Sequence, residues 1–413
     1  MKYFESMLMT ESCQRVGTNV STQKIALYSF FSCAGFLDLG FEKVDGNPYE
    51  IRMANEIDPN FRKCYRYARE HLKVPIRVAD DFIFPNSIAD FVHWGGGPRK
   101  GCRDVYEKFA TLLKSDKTAD RIIGFIGGPP CPDFSIAGLN AGKDGNVGPL
   151  SSKYVRLINQ EAPHFFLFEN VKGLFSSEKH RTYFRSLCLK LSEKYFISYR
   201  IVNALWYGVP QFRERLIIVG VRRDLLLGFT HRQLDQELNW EMFQWFKEAV
   251  IKSRTKWPSS QPYTPDPELP RPNGDCGIAE LTVHDWWIKN DVIHHPNQSN
   301  QTHPREGTRA RYETVREGNT LGKSYHRLHR WKYAFTACYG HNEVPLHPWE
   351  PRRISVAEAL ATQSLPADFS LPPTMGISVL FRAVGNGVPF LMARGLADMI
   401  YAFLVEHDVR GGA

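Results

Sequence analysis

The sequence lacks any apolar run of about 18 residues, the length a helix needs to cross a bilayer. Its first residues, MKYFESMLMTESCQR, carry Glu5 and Glu11 where a secretory leader needs a continuous apolar core. Together these absences predict a soluble chain that works in the cytoplasm and has no membrane partner. Cysteine is sparse, eight residues scattered at 13, 33, 64, 102, 131, 188, 276 and 338. With no C-x-x-C pair and no Cys/His set at zinc-finger spacing, neither a structural metal nor a disulfide framework is expected. Free thiols in a reducing compartment fit best, and no internal repeat is visible.

What is present begins with 43% apolar residues over 413 positions, enough for a large domain and a smaller one, each with its own core. Disordered and fibrous classes are thereby excluded. A formal charge of +8 and a pI near 9.0 suit a polyanionic partner. Over the first 225 residues short apolar runs alternate with amphipathic stretches, the pattern of βαβ units around a mostly parallel sheet. Strands are predicted over 24–31, 49–55, 121–127, 164–170, 196–204 and 215–222.

In such sheets ligands gather beyond the carboxyl ends of the strands. Chemically useful residues follow those ends here: the loop FSCAGFLDLG after the first, Glu56 after the second, Cys131 after the third, and Glu169-Asn170 closing the fourth. Cys131 sits in FIGGPPCPDFSIAGLNAG, behind an apolar run and two prolines and ahead of a glycine-rich segment. A cysteine taken at random is most often a small buried hydrophobe. One placed between a strand end and a helix start, with its approach stiffened by Pro129 and Pro130, has the surroundings that lower a thiol pKa.

Past Arg222 the character changes. Six prolines fall between Pro258 and Pro272, which predicts an extended loop. Between Ser299 and Tyr333 eight Lys or Arg stand against three Glu, interleaved with Tyr312, Tyr325, Trp331 and Tyr333. Taken alone the charges read as a solvated face; the aromatics turn the reading toward nucleic acid. Helical periodicity returns at ISVAEALATQ, from Ile354.

These segments, in this order, resemble the DNA (cytosine-5)-methyltransferases, which use S-adenosylmethionine. FFSCAGFLDLGFE looks like the family's cofactor loop, ANEIDP like its ribose-binding acid, and GGPPCPDFS like its nucleophile motif. FENVKGL resembles the second catalytic motif, YGVPQFRERLIIVG the glutamine-arginine-arginine motif, RRISVAEALATQSLP the helix after the recognition domain, and VGNGVP the closing cofactor motif. The resemblance runs from Phe30 to about Ala402. It implies an α/β, Rossmann-like S-adenosylmethionine-dependent methyltransferase domain over 1–225, completed by 351–413, with a smaller target-recognition domain over 226–350. Double-stranded DNA is the implied substrate, a restriction endonuclease the functional counterpart, and a monomer the expected state.

The chemistry says why these residue types must meet. Cytosine C5 is a poor nucleophile until a thiolate adds at C6, and Cys131 is the candidate thiolate. Addition places negative charge on the ring, so a donor is needed at N3, a role for Glu169 if burial raises its pKa. Arg215 would hold Glu169 and the ring's O2 edge, with Arg213 as its partner; Asn170 would fix the local turn. On the cofactor side the resemblance implies Phe31, Ala34 and Gly35 in the loop, Glu56 on the ribose, Ile57 and Phe31 on the adenine faces and Asp80, or Asp81, on the exocyclic amine. Leu150, Asn386 and Val388 complete the wall. A base inside a duplex exposes neither ring face, so the target must be rotated out. The glycine-rich segment after Cys131, carrying Ser135, is expected to close over DNA. Gln211 is read as loop-shaping or DNA-facing, and Arg305, Arg309, Arg311, Arg327 and Arg330 as DNA contacts.

The sequence departs from the family pattern at Cys33 and Phe36, where glycines are usual, at Pro132-Asp133 after the nucleophile, and at Val147, where an arginine is common and Lys143 is the nearest substitute. A transfer-RNA cytosine methyltransferase of similar fold is the alternative within the chemistry; PDFS and the insert of about 125 residues favour DNA. A catalytically silent DNA-binding homologue is the alternative outside it, opposed by intact Cys131, Glu169 and Arg215.

Overall fold

The six predicted apolar runs all form strands, each within two residues of its expected bounds, in the computed structural model of the chain. The structure describes residues 24–72, 82–93, 97–130, 148–253, 257–272, 276–305, 307–321, 324–337, 339 and 343–411. The strands are β1 Ile25–Phe30, β2 Tyr49–Asn55, β4 Ile123–Gly127, β5 Phe165–Val171, β6 Tyr195–Asn203 and β7 Glu214–Arg222. A further edge strand, β3 Ile83–Phe84, has only two residues and so no periodicity to read. They make one seven-stranded sheet in the order β3-β2-β1-β4-β5-β7-β6. β1 to β5 run parallel, while β7 enters antiparallel between β5 and β6. β1 is buried along its whole length, as a parallel strand covered on both faces must be.

Helices cover the two faces: α1 Phe36–Glu42, α2 Pro59–His71, α3 Arg103–Thr118, α4 Gly148–Glu161, α5 Glu178–Ser192, α6 Val356–Thr362, α7 Ile377–Asn386 and α8 Phe390–Glu406. On one face Phe109, Leu157 and Leu187 of α3, α4 and α5 pack on Phe125 and Phe166 of the sheet. On the other, Phe41 of α1 and Leu396 of α8 pack on Leu27 and Ile217, so the end of the chain returns to its beginning. The approach of α1 to α8 depends on Gly40, where a Cβ would come within 2.4 Å of the Ala393 Cβ. Ile377–Glu406 is also the described stretch long and apolar enough to cross a membrane, but 67% of its apolar window is buried inside the fold. Its apolarity is therefore that of core helices.

A third cluster joins the two halves. Val283, Trp287 and Leu328 pack with Val356 and Leu360 of α6, Phe381 of α7 and Phe36 of α1. Ser355 begins α6 with a reciprocal capping box: its hydroxyl accepts from Glu358 N at 3.0 Å, and Glu358 accepts from Ser355 N at 2.7 Å. Glu358 also takes two bonds from Arg352, at 2.9 and 2.7 Å.

Between about 257 and 350 regular structure is scarce, and the proline-rich segment is extended, as expected. Loop carbonyls buried there need donors that no helix or ladder supplies. Two arginines supply them, which corrects their assignment to DNA. Arg327 is fully buried and donates to the carbonyls of Tyr312, Val315, His347 and Glu350. Arg330, also fully buried, pairs with Glu317 at 3.0 and 3.2 Å and donates to the carbonyls of Thr264 and Asp266. A charge so enclosed cannot reach a phosphate. Arg330→Ala is expected to lower stability by about 3 to 5 kcal/mol, because Glu317 is left as an unpaired buried charge. Arg309→Ala, at an exposed position, should leave the urea unfolding midpoint unchanged; equal midpoints for the two variants would contradict the assignment.

Candidate active site

The carboxyl ends of β1, β2, β4 and β5 open into a cleft of about 980 Å³ whose far wall includes Thr336, Ala337, Tyr339 and Glu343 together with Arg382, Gly385 and Asn386. The chain leaves β1 through a tight turn in which Phe31, Cys33 and Gly35 all have left-handed backbone, with φ of 58°, 48° and 81°. Gly35 is obligatory there, since a Cβ would lie 2.7 Å from the Tyr65 ring. Cys33, at a position where the resembled family has glycine, carries a left-handed penalty of about 1 to 2 kcal/mol. Its amide donates to Glu56 Oε2 at 3.0 Å, which holds the strained turn against β2. Phe36 needs no such conformation. Its ring fills the space over Gly387, where a Cβ would come within 2.2 Å, and meets Phe369 edge-on at 5.2 Å. The closing motif thus accommodates the departure at the opening one.

Glu56 receives a second N–H, from Asp58 at 2.8 Å. Burial pushes its carboxyl above the usual range, and the two backbone donors pull it back. Phe31, Ile57, Leu150 and Asn386 line the same part of the cleft, with Ile57 63% exposed beside it. A carboxylate near an aromatic and two aliphatic side chains fits a nucleoside, whose ribose hydroxyls donate and whose base is flat and apolar on its faces. The residues present therefore fit the adenosyl part of S-adenosylmethionine. Ala34 and Val388 are buried in core clusters and are not among the residues that line the cleft. Asp80 lies outside the described residues. No sequence signal singles out Asn86 and Ser87, which also line the cleft; the edge strand before them is too short to show periodicity, and Asn55 Nδ2 ties the segment down through Asn86 O at 2.8 Å.

At the other end of the cleft stands Glu169. Antiparallel pairing sets Glu169 opposite Ile217 and Val171 opposite Arg215, so Glu169 and Arg215 are diagonal neighbours on one face. Arg215 Nε meets Glu169 Oε1 at 2.8 Å. Burial pushes the Glu169 carboxyl up, while Arg215 and then Arg213 draw it down. Gly128 passes directly over this pair, and a Cβ on it would lie 2.6 Å from Glu169 Oε2. Asn170 Nδ2 donates to Pro129 O at 3.3 Å, fixing the turn that leads to position 131, as expected. Cys131 and Ser135 themselves lie outside the described residues.

Arg213 shares the face of Arg215 by the two-residue spacing of QFRER. It is only 1% exposed and donates to Ala337 O at 3.3 Å, Gly385 O at 2.7 Å and Gly387 O at 3.0 Å. It is thus a positioning residue at the cleft. Gln211 is corrected from a DNA-facing residue to a loop-shaping one, since it is wholly buried and bridges the backbone of Ala334. Arg305, Arg309 and Arg311 are exposed, as a DNA contact requires. Thr336, Tyr339 and Arg382 line the cleft as well, with no sequence signal to single them out.

Comparison with known proteins agrees with this geometry. The family model for C-5 cytosine-specific DNA methylases matches residues 100–402. The Type II methyltransferase M.NmeDI of Neisseria meningitidis serogroup C is 42% identical over 409 residues, covering 98% of this chain and 90% of that protein. M.MthTI of Methanothermobacter thermautotrophicus, also a Type II methyltransferase, is 29% identical over 396 residues, covering 90% of this chain and 96% of that one. Among solved structures, a prophage-encoded E. coli chain described as a DNA modification methyltransferase superposes with a TM-score of 0.58 at 21% identity, covering 92% of this chain and 99% of its own. S. pombe Dnmt2 superposes with a TM-score of 0.54 at 11% identity, covering 92% and 98%. These two likenesses speak for the fold. The family match and the 42% relative speak for the activity: this chain belongs to the C-5 cytosine-specific DNA methylases, S-adenosylmethionine-dependent enzymes of the Type II restriction-modification kind that act on double-stranded DNA.

Proposed function

We propose that this methyltransferase draws one cytosine out of the duplex into the cleft and activates it covalently, with Cys131 as nucleophile, Glu169 as proton donor and Arg215 as the clamp on both Glu169 and the ring. The observation that carries the reading is the buried Glu169–Arg215 pair, with the backbone that leads to Cys131 pressed against it through Gly128.

The Cys131 thiolate adds to C6, and the electron pair displaced onto the ring is met by a proton from Glu169 at N3. C5 thereby becomes an enamine carbon. S-adenosylmethionine, when bound, supplies the electrophilic methyl group. Loss of the C5 proton to water then expels the thiolate, and return of the N3 proton to Glu169 leaves a neutral aromatic ring. Arg215 keeps Glu169 in place and faces the O2 edge, while Arg213 holds the closing motif and adds positive potential. Glu56 accepts the ribose hydroxyls, Phe31 and Ile57 flank the adenine, and Leu150 and Asn386 close the pocket. Asp80 and Ser135 keep the adenine-amine and DNA-loop roles that the resemblance implies.

Target choice belongs to residues 226–350, with 1–225 and 351–413 forming the catalytic domain. The chemistry is the same for every target, so selection must come from the part that chemistry constrains least. Arg305, Arg309 and Arg311 are its DNA anchors. The enzyme acts as a monomer in the cytoplasm and shields host DNA from a restriction endonuclease of the same specificity. The DNA-methylase match and the intact Glu169–Arg215 pair favour this over a transfer-RNA enzyme or a silent homologue.

Cys131→Ser is expected to abolish methyl transfer while DNA binding persists, since a serine hydroxyl is not ionised at neutral pH. A duplex carrying 5-fluorocytosine at the target should trap the wild type covalently, and peptide mapping should find the adduct on Cys131; an adduct elsewhere overturns the assignment. Glu169→Gln should lower kcat by about 10²- to 10⁴-fold. The sign with pH follows from the roles: the donor form of Glu169 is lost as pH rises through its raised pKa, and the Cys131 thiolate is lost as pH falls. The variant should therefore lose the high-pH limb of the rate profile and keep the low-pH limb.

Glu56→Ala should weaken S-adenosylmethionine binding by about ten- to a hundredfold, the worth of a charge-assisted hydrogen bond of about 1.5 to 3 kcal/mol. Calorimetry giving an unchanged Kd would move the ribose site elsewhere. Arg309→Ala and Arg311→Ala should weaken binding to all duplexes alike and reduce the salt slope by about one unit each if they hold phosphates. A change in the bisulfite-sequencing profile at one position, with the slope intact, would make that residue a base reader.

A further inference from the structure

Phe212 sits between two buried residues, Gln211 and Arg213, yet its own side chain is 38% exposed. Its backbone is pinned at both ends: Phe212 N donates to Ala334 O at 2.8 Å, and Thr336 Oγ1 donates to Phe212 O at 2.8 Å. Thr336 and Arg213 both line the catalytic cleft, so the exposed ring stands at its rim. It does not stand alone. Tyr333 lies 6.3 Å away with its plane tilted by 31°, Trp257 meets Tyr333 edge-on at 4.7 Å, and Lys332 Nζ lies 5.5 Å over the Tyr333 ring. An aromatic strip edged by a cation therefore runs from the rim into the second domain.

The backbone beneath the ring is fixed on both sides, so the ring is presented from a defined position on the loop. Flat rings beside a cation suit stacked bases and their phosphates. Resting on the reading that the target cytosine leaves the stack for the Glu169 end of the cleft, we propose that Phe212 is a positioning residue on which the DNA stack closes beside the extruded cytosine, with Tyr333 and Trp257 bracing it from behind. Its ring replaces the stacking partner that the neighbouring base loses. It touches neither the reacting atoms nor the methyl donor and acts on the extrusion step.

The prediction separates extrusion from chemistry. The full-length enzyme is assayed on two duplexes bearing the target found by bisulfite sequencing: one fully matched, and one with an abasic site opposite the target cytosine, where less pairing has to be broken. Phe212→Ala should lose about tenfold to a hundredfold in kcat/KM on the matched duplex and far less on the abasic one. Phe212→Trp should restore the matched rate, and S-adenosylmethionine affinity should be unchanged in both variants. Equal losses on the two duplexes, or no loss on either, overturn the role of Phe212. A wild type that handles both duplexes identically overturns the extrusion reading itself, which keeps the two failures apart.

Discussion

One guanidinium holds the three parts of the catalytic cleft together. Arg213 enters from the loop before β7 and bonds simultaneously to the carbonyl of Ala337 in the second domain and to those of Gly385 and Gly387 in the closing motif. Those carbonyls come from a loop and a helix end, where no ladder satisfies them, so a buried cation with several donors is the group that can. The same charge acts on Glu169, which places fold assembly and the tuning of that buried carboxyl in one side chain. The same parts also meet through the apolar cluster of Phe36, Trp287, Leu360 and Phe381, so the guanidinium adds polar ties to a packed junction.

The same solution recurs away from the cleft. Arg327 and Arg330 each lie buried within the region that has little helix or strand, and Arg352 lies buried just before α6; each is bonded to carbonyls, to a paired carboxylate or to both. A stretch with so little helix or strand has no long regular framework to hold its shape. Internal ion pairs and arginine-carbonyl bonds give it a defined shape while Arg305, Arg309 and Arg311 stay exposed. Two of the eight cationic residues in the stretch that the sequence presents as DNA-binding, Arg327 and Arg330, are thus internal support.

The catalytic cleft shows how departures from a family pattern can be absorbed. Cys33 keeps the left-handed backbone that a glycine would adopt without strain, and Glu56 holds it there by accepting its amide N–H. Phe36 fills a space that exists because Gly387, far along the chain, has no side chain. Each departure is matched by a contact made with a distant segment.

The sheet was legible in the sequence because apolar runs of strand length, separated by amphipathic stretches, can bury themselves in few other ways. The ordering of Glu56, Glu169 and the cysteine motif after strand ends followed from the same pattern, since parallel strands deliver their carboxyl ends to one edge. Exposure was not legible. Arg309 and Arg330 are the same residue type in one basic stretch, and only packing decides that the first meets water and the second meets Glu317. Nor could the sequence show that Gln211 turns inward while Phe212 next to it turns out, because alternation along a chain says which residues differ in direction but not which direction is the interior. The two-residue edge strand, the Asn86 segment behind it and the three hydrogen bonds of Arg213 are contacts between parts separated in sequence. The first two form where the chain returns beside β2, and the last only once the C-terminal segment has folded back onto the sheet.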